Sequence, residues 1–280
     1  MKQQIQISAK NLGALALPTF CPRCFWIRMM CGGQLPFQIF PGIFSSIDSY
    51  SKKITISYFR QHGRIPRWFD GFGELGAPMP VPGWSKFQML DPKTGVLLTG
   101  VPDEILQHPR RGIWIGDYKT ARFTETQDAL APMYEVQLNC YALIAATIGF
   151  GRVYGLGLLY YEPVTELKDS GHDLPIREDG FFLEFSPKLK PVKLETEIIS
   201  PLLERVREIC ALSRPPAGRP GCRDCSIVDA LIRGMGGCAQ LSKSLNVGNS
   251  KASGDHHLED GRTVYRQTSS VLPEFGCSTI

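Results

Sequence analysis

The sequence of 280 residues lacks an apolar run long enough to cross a membrane. Its longest apolar stretch, residues 138–150, is interrupted by Asn139 and is shorter than the roughly 20 residues that a spanning helix needs. Residues 1–10 are polar and lack the charged-then-apolar pattern of a secretory signal. We therefore expect a cytoplasmic protein without a membrane partner.

The sequence also contains no internal repeat and no Gly-x-x-x-x-Gly-Lys-[Ser/Thr] motif, so the chain carries no helicase motor of its own. A strong charge of either sign is absent as well. The 31 Lys and Arg residues outnumber the 27 Asp and Glu residues by only four. This balance permits a polyanionic partner but does not require one.

Cysteine, in contrast, is abundant, with nine residues in the chain. In a reducing compartment, clustered cysteines indicate metal or iron–sulfur ligation more than disulfides. Two pairs have the Cys-x-x-Cys spacing, Cys21 with Cys24 and Cys222 with Cys225. Four such thiolates can hold Zn²⁺ or an iron–sulfur cluster. Reduced cysteines packed as small apolar side chains are the alternative.

The hydrophobic pattern predicts the order helix, strands, helix, strands, helix, which is typical of an α/β domain with a mixed central β-sheet flanked by helices. Pro22 is suited to the first turn of a helix. We expect residues 1–240 to form this domain and the polar residues 241–280 to be a disordered tail. Strands are predicted at 96–106, 113–120, 153–161 and 180–185, and helices at 47–61, 125–150 and 194–212.

Two carboxylates and a lysine lie on the first two predicted strands. Asp103 is expected near the middle of one strand, and Asp117 and Lys119 share a face of the next. Carboxylate oxygens suit Mg²⁺ or Mn²⁺, and Lys119 is placed to orient a metal-bound water or to stabilise developing negative charge. A surface ion pair is the alternative, because Asp-x-Lys is a short and common pattern.

Other side chains could contact a nucleic acid. Gln137 and Tyr141 share one helix face, from which they could hydrogen-bond a strand or steady a metal site. Basic residues form two groups that could track phosphates or simply be solvated: Arg60, Arg64 and Arg67 beside Trp68, and Arg110 with Arg111.

Three segments in order, GVPD at 100–103, GDYKT at 116–120 and QLNCY at 137–141, resemble the motif set of RecB-type nucleases in the PD-(D/E)XK superfamily. The resemblance covers about residues 7–225. It implies a restriction-endonuclease-like core and a metal-dependent DNA nuclease. An exonuclease in DNA repair, recombination, or CRISPR or phage DNA processing is implied, with a helicase or integrase as a potential partner.

The resemblance also implies roles for individual residues. Asp103, Asp117 and the Tyr118 carbonyl would bind Mg²⁺ or Mn²⁺, and Lys119 would be the catalytic lysine. Gln137 and Tyr141 would be the helix signature of the RecB-type branch. Some members use an upstream histidine as a further ligand, and His62 is the one histidine before Asp103.

Residues 21–26 resemble the opening segment of AddB-like and CRISPR-associated RecB-like exonucleases. In those families the first cysteine joins three near the C-terminus to hold a [4Fe–4S] cluster, which implies Cys21, Cys222, Cys225 and Cys238 here. Cys238 lies farther along the chain than the family spacing, however. Cys24 is therefore the alternative fourth ligand, and Zn²⁺ the alternative metal.

Two other functions remain open at this point. One is a catalytically silent nucleic-acid-binding protein of the same fold, although the intact Asp103, Asp117 and Lys119 argue against it. The other is a cysteine-metal protein in which the nuclease-like motifs are coincidental. It predicts metal at the cysteines and no magnesium-dependent activity.

Overall fold

The computed structural model describes residues 4–32, 42–108, 112–121, 129–165 and 176–245. The chain divides into two compact units, Met1–Asp229 and Ala230–Ile280. All described β-strands lie in the first unit. The described part of the second unit is helical.

Groups of helices and strands follow one another along the described chain in the predicted order of helix, strands, helix, strands and helix, except that a short strand precedes the first helix. The helices are α1 (Ala9–Gly13), α2 (Pro22–Met30), α3 (Gly42–His62), α4 (Ala131–Thr147), α5 (Ile199–Cys210) and α6 (Arg223–Leu245), with 3₁₀ turns at Ala14–Ala16, Arg67–Phe72 and Thr196–Ile198. The strands are β1 (Gln6–Ser8), β2 (Gln88–Leu90), β3 (Leu97–Thr99), β4 (Glu104–His108), β5 (Gly112–Lys119), β6 (Val153–Pro163), β7 (Ile176–Arg177), β8 (Gly180–Phe181) and β9 (Phe185–Val192).

The described strands form two mixed sheets and a small hairpin of β7 with β8. In the first sheet, β3 pairs in parallel with β1 and antiparallel with β2. In the second, with the order β4-β5-β6-β9, only the central pair β5 and β6 is parallel. The predicted mixed α/β class is confirmed, but the strands belong to two sheets, so the expectation of one central sheet is wrong.

The strand predicted at residues 96–106 is two strands, β3 and β4, in different sheets. Residues 100–103 separate them, and Pro102 within this break has no backbone N–H to donate to a ladder. Asp103 therefore immediately precedes β4 and does not lie in the middle of a strand. The break lets the chain leave one sheet and enter the other at this residue.

Other boundaries also differ from the predictions. The strands β1 and β2 have only three residues each, too few for a clear alternation, and the sequence analysis missed them. The segment predicted at 180–185 is divided between β8 and β9. The expected tail begins inside α6, which continues to Leu245, and residues 246–280 lie outside the described residues. Pro22 does lie in the first turn of α2, as predicted.

Helix α4 is the centre of the main core. It contacts strands of both sheets, and it packs against α1 and α5. Leu138, Ile144 and Ala145 are completely buried, and burial of a large apolar side chain contributes about 1.5–3 kcal/mol. The buried Asn139 is satisfied because it donates to the carbonyls of Glu135 and Lys193. No helix in the described part of the chain is long and apolar enough to cross a membrane.

A second core lies on the opposite face of the β4-β5-β6-β9 sheet, around the indole of Trp114. Phe69 meets this indole edge-on, with ring centroids 5.9 Å apart, and Phe72 lies 4.7 Å away. The Phe72 ring and the indole together cover Gly157 of β6, where a Cβ atom would lie 2.3 Å from Phe72 Cζ and 2.7 Å from Trp114 Cζ2. The absence of a side chain at Gly157 therefore permits this packing.

We expect Gly157→Ala to destabilise the protein by about 1–3 kcal/mol, because the added methyl group overpacks a rigid aromatic contact. The free energy of unfolding, measured by denaturant titration, checks this. Gly180→Ala is the matched control, since a Cβ atom there meets no atom within 4 Å. Equal stability of Gly157→Ala and the wild type would contradict the packing described for Phe72 and Trp114 over Gly157.

Candidate functional site

The end of β5 and one face of α4 bring together four of the predicted site residues. Asp117 is only 3% exposed. The amide Nε2 of Gln137 donates both to Asp117 Oδ1, at 3.1 Å, and to the Tyr141 hydroxyl, at 2.7 Å. Lys119 forms an ion pair with Asp117 Oδ2 and donates to Gln137 Oε1 at 3.3 Å. Residues two apart on the strand and residues four apart on the helix thus meet in one buried polar group.

Lys119 has an aromatic neighbour that the sequence analysis missed. Its Nζ lies 4.2 Å from the centroid of the Tyr134 ring, in a cation–π contact. Tyr134 is on α4, one turn before Gln137, so both side chains hold the ammonium from the same helix. Tyr134 lies on a largely apolar helix, so its position in the sequence does not distinguish it from a residue of the core.

Asp103 reaches this group from the break before β4. Its Oδ2 accepts a hydrogen bond from the backbone N–H of Tyr118 at 2.8 Å, so the carboxylate is fixed beside β5. Its Oδ1 pairs with Lys52 Nζ at 2.9 Å, and Lys52 also contacts Asp48 Oδ2 at 2.7 Å. The sequence analysis missed Lys52 and Asp48, because an Asp–Lys pair four residues apart on a helix is usually a surface feature.

Burial and the nearby charge of Asp117 raise the pKa of Asp103 to about 7, although Lys52 and the Tyr118 N–H oppose the shift. Asp117 Oδ2 is also buried, and the Lys119 ammonium is its ion-pair partner. We call Asp103, Asp117 and Lys119 the carboxylate centre. Its two largely buried carboxylates are ligands of the kind that a hard divalent cation such as Mg²⁺ or Mn²⁺ prefers.

The structure does not bring His62 to the carboxylate centre. His62 is the exposed last residue of α3, and its ring lies 4.2 Å from that of Tyr58. Because a helix rises 1.5 Å per residue, His62 lies about 15 Å along α3 from Lys52, which contacts Asp103. The predicted ligand role of His62 therefore has no support in this geometry, whereas that of the Tyr118 carbonyl stays a prediction.

The structure describes the first of the two predicted basic groups but not the second. Arg60 lines a groove of about 600 Å³ that also includes Lys52 and Asp103. We call it the α3 groove; its opposite wall contains Pro78, Met79, Pro80, Val81 and Pro82. Arg64 lies instead over the Tyr58 ring, at 5.9 Å. Residues 109–111, with Arg110 and Arg111, lie outside the described residues.

The side chain of Tyr118 belongs to a buried polar network under the carboxylate centre. Its hydroxyl donates to Glu104 Oε2 at 2.7 Å and lies 2.9 Å from Thr55 Oγ1 of α3. Glu104 is 2% exposed, and burial raises its pKa to about 7 despite the hydrogen bonds from Tyr118 and Thr55. The network joins α3, β4 and β5 at the level of Asp103.

Four buried cysteines form a separate group, which we call the cysteine cluster: Cys21, Cys24, Cys222 and Cys225. Their sulfur atoms all lie within 4.8 Å of one another, so the four residues can hold a metal ion. The shortest separations given by the structure are 3.4–3.6 Å, well beyond the length of a disulfide bond. Gly218 leaves room for the group, since a Cβ atom there would lie 2.8 Å from Cys225 Sγ.

One cysteine of the cluster is favoured as a thiolate. Although burial acts in the opposite direction, the backbone N–H groups of Cys24 and Arg219 lower the pKa of Cys21 to about 7. The Arg219 N–H donates to Cys21 Sγ at 3.2 Å. Thiolates are the form that binds metals.

Of the two cysteine sets predicted from the sequence, the structure brings together the one that includes Cys24. Cys238 belongs to α6, and its side chain lies outside the described residues. Cys31 is exposed and Cys140 is packed in the main core. The first pair stands at the start of α2 and the second pair at the start of α6.

The sequence matches no protein-family model and no curated protein. Among solved structures, the chain is similar to the crystal structure of SSO0001, with 12% identity over 77% of this chain and 81% of that one. The TM-score is 0.33, which is too low to support a conclusion about fold or function.

The buried Glu104 makes a pH-dependent prediction. Because its folded pKa lies above the ordinary 4.5, ionisation penalises the folded state, and stability is lost as pH rises from about 4.5 to about 7. We expect Glu104→Gln to match the wild type near pH 4 and to be more stable above pH 7, by up to about 3 kcal/mol. Denaturant unfolding across this range measures the difference. The exposed Glu178→Gln is the control, and a pH-independent difference for Glu104→Gln would contradict the prediction.

Proposed function

We propose that this chain is a metal-dependent DNA nuclease of the RecB-type branch of the PD-(D/E)XK superfamily, with a restriction-endonuclease-like core. The observation that carries the proposal is the convergence of Asp103 and Asp117 beside Lys119, with Gln137 and Tyr141 behind them. Two largely buried carboxylates close together repel each other, and a divalent cation bound to both would offset that repulsion. The sequence order of these residues is the one that the resemblance implies.

In this proposal Asp103 and Asp117 would hold Mg²⁺ or Mn²⁺. The bound ion would lower the pKa of a water molecule and neutralise charge on the phosphodiester. Gln137 holds Asp117 Oδ1, and the Tyr141 hydroxyl fixes the amide that does so. Lys119, held by Gln137 Oε1 and the Tyr134 ring, can donate a hydrogen bond to the attacking water or to a phosphate oxygen.

The reaction that these residues support is phosphodiester hydrolysis. The oxygen of water forms a bond to phosphorus, the bond from phosphorus to one ester oxygen breaks, and a proton goes to that leaving oxygen. We propose DNA as the substrate and an exonuclease as the type, in repair, recombination, or CRISPR or phage DNA processing, with a helicase or integrase as a candidate partner. The α3 groove, which Asp103 lines, is the adjacent surface for a strand.

Lys119→Ala should abolish cleavage. Because it also removes the ammonium paired with the buried Asp117, circular dichroism and thermal melting of the variant first verify that it is folded. Linear single- and double-stranded DNA are incubated with full-length protein in Mg²⁺, in Mn²⁺ and in EDTA. We expect metal-dependent cleavage by the wild type and a loss of at least about 100-fold in the variant, as for the removal of an electrostatic catalytic group. Product lengths separate exonuclease from endonuclease action.

The control for this experiment is Lys93→Ala, which removes an exposed lysine paired with Glu204. It should cleave as the wild type does. Undiminished cleavage by Lys119→Ala would contradict the assigned centre. A wild type that binds DNA without cutting it would favour the silent binding protein instead.

We also propose that the four residues of the cysteine cluster ligate an iron–sulfur cofactor of the [4Fe–4S] type, with Zn²⁺ as the alternative metal. Tetrahedral sites of four thiolates suit both. The two pairs are about 200 positions apart in sequence, with Cys24 and Cys222 separated by 198. Metal binding would therefore join distant ends of the first unit and stabilise it by restricting the unfolded chain.

Replacement of a cluster ligand should remove the metal and lower the melting temperature. We expect Cys24→Ser, purified anaerobically, to lose bound iron or zinc and to melt several degrees below the wild type, on the order of 5 °C or more. Elemental analysis and absorbance at about 400 nm distinguish iron–sulfur from zinc. Cys31→Ser, at an exposed position, is the control. Metal loss in Cys238→Ser with retention in Cys24→Ser would show that the other cysteine set is the correct one.

A further inference from the structure

The carboxylate centre has a second lysine that the proposed mechanism does not use. Lys119 pairs with Asp117, and Lys52 pairs with Asp103 at 2.9 Å. Lys52 comes from α3 and its side chain is 40% exposed, compared with 15% for Lys119. Each carboxylate of the centre therefore has its own ammonium in the protein as it stands.

A divalent cation and Lys52 compete for the same oxygens. If Asp103 binds Mg²⁺ or Mn²⁺, a second positive charge within hydrogen-bonding distance of that carboxylate is repelled by the ion. Lys52 must then move away from Asp103. Its half-exposed side chain can do so without breaking a packed core contact.

Asp48 gives the displaced lysine a place to remain. It lies one helical turn before Lys52, and its Oδ2 already accepts a hydrogen bond from Lys52 Nζ at 2.7 Å. Lys52 Nζ therefore lies between two carboxylates, 2.9 Å from Asp103 Oδ1 and 2.7 Å from Asp48 Oδ2. Asp48 would hold the ammonium at the mouth of the α3 groove.

Lys52 and Arg60 both line the α3 groove, and eight positions separate them on one helix face, about 12 Å along the axis. The opposite wall is apolar, with prolines and Met79. Two cations along one wall and an apolar second wall suit a strand whose phosphates follow α3 and whose bases face the prolines.

We propose that Lys52 is a second lysine of the site: it neutralises Asp103 in the metal-free protein and binds a substrate phosphate in the α3 groove when a divalent cation takes Asp103. This inference rests on the proposed function, because it requires a metal at Asp103 and Asp117. It means that a residue of α3 contacts Asp103 when no cation is bound and a substrate phosphate when a cation is bound.

The first test measures Mn²⁺ affinity of the EDTA-treated full-length protein by calorimetry. Lys52→Met should bind Mn²⁺ about three- to tenfold more tightly than the wild type, because a partly exposed ion pair no longer competes for Asp103. Lys52→Arg keeps the charge and should resemble the wild type. Lys53→Met removes the neighbouring exposed lysine and should also leave Mn²⁺ affinity unchanged.

The second test measures binding of a fluorescent single-stranded oligonucleotide with Mn²⁺ present, in the Lys119→Ala background to prevent cleavage. Adding Lys52→Met should weaken binding and reduce the slope of log affinity against log salt by about 0.7, the value for one lost phosphate contact on a single strand. Adding Lys53→Met should leave the slope unchanged. A variant that is merely misfolded would not tighten Mn²⁺ binding while losing one phosphate contact.

The outcomes separate the two proposals. If Mn²⁺ binds the wild type but not Asp117→Asn, and Lys52→Met changes neither Mn²⁺ affinity nor the salt slope, the role of Lys52 is overturned while the metal centre stands. If no variant shows Mn²⁺ binding that depends on Asp117, the metal centre is overturned, and the role of Lys52 with it.

Discussion

The contact on which the site depends is the hydrogen bond from the Gln137 amide to Asp117. A carboxylate that is 3% exposed needs partners, because an unpaired buried charge is strongly destabilising. Gln137 satisfies one oxygen and is itself held by the Tyr141 hydroxyl, so α4 is fixed against the end of β5 through polar atoms. The orientation of Lys119 follows from the same amide, whose Oε1 accepts from its Nζ. The core and the candidate site are thus one arrangement.

Asp103 depends on a different kind of constraint, a change of sheet. The chain leaves the first sheet after β3 and enters the second at β4, and the break between them contains Gly100 and Pro102. Gly100 packs against the Tyr141 ring, where a Cβ atom would lie 2.5 Å from Cε1. The absence of a side chain at Gly100 therefore lets Asp103 approach the residues on α4 and β5. In the GVPD segment, Gly100 and Pro102 therefore have a structural role beside the carboxylate of Asp103.

The part of the site that could be predicted from sequence is the part governed by local periods. Asp117 and Lys119 are two apart on a strand, and Gln137 and Tyr141 are four apart on a helix, so each pair shares a face whatever the remaining fold. Lys52 and Asp48 could not be predicted to join them, because the approach of α3 to β4 is a tertiary contact.

His62 was a candidate only by its order in the chain, and the length of α3 places it far from Asp103. The cysteine set was ambiguous for the same reason, since nothing local distinguishes Cys24 from Cys238 as a partner of Cys222.

The energetics of the centre bear on whether it serves stability or chemistry. Buried ion pairs often contribute no more stability than apolar residues of similar volume, and sometimes less. Here burial, together with the nearby charge of Asp117, raises the pKa of Asp103 to about 7. A protein that needed only to fold would gain by replacing these groups with apolar side chains, as the rest of the core around Leu138 and Ile144 already does. Retaining repulsive acids at the end of β5 is reasonable where a cation and a polyanion are to be bound there. This reasoning favours a cation-binding role for the two carboxylates over a purely structural one.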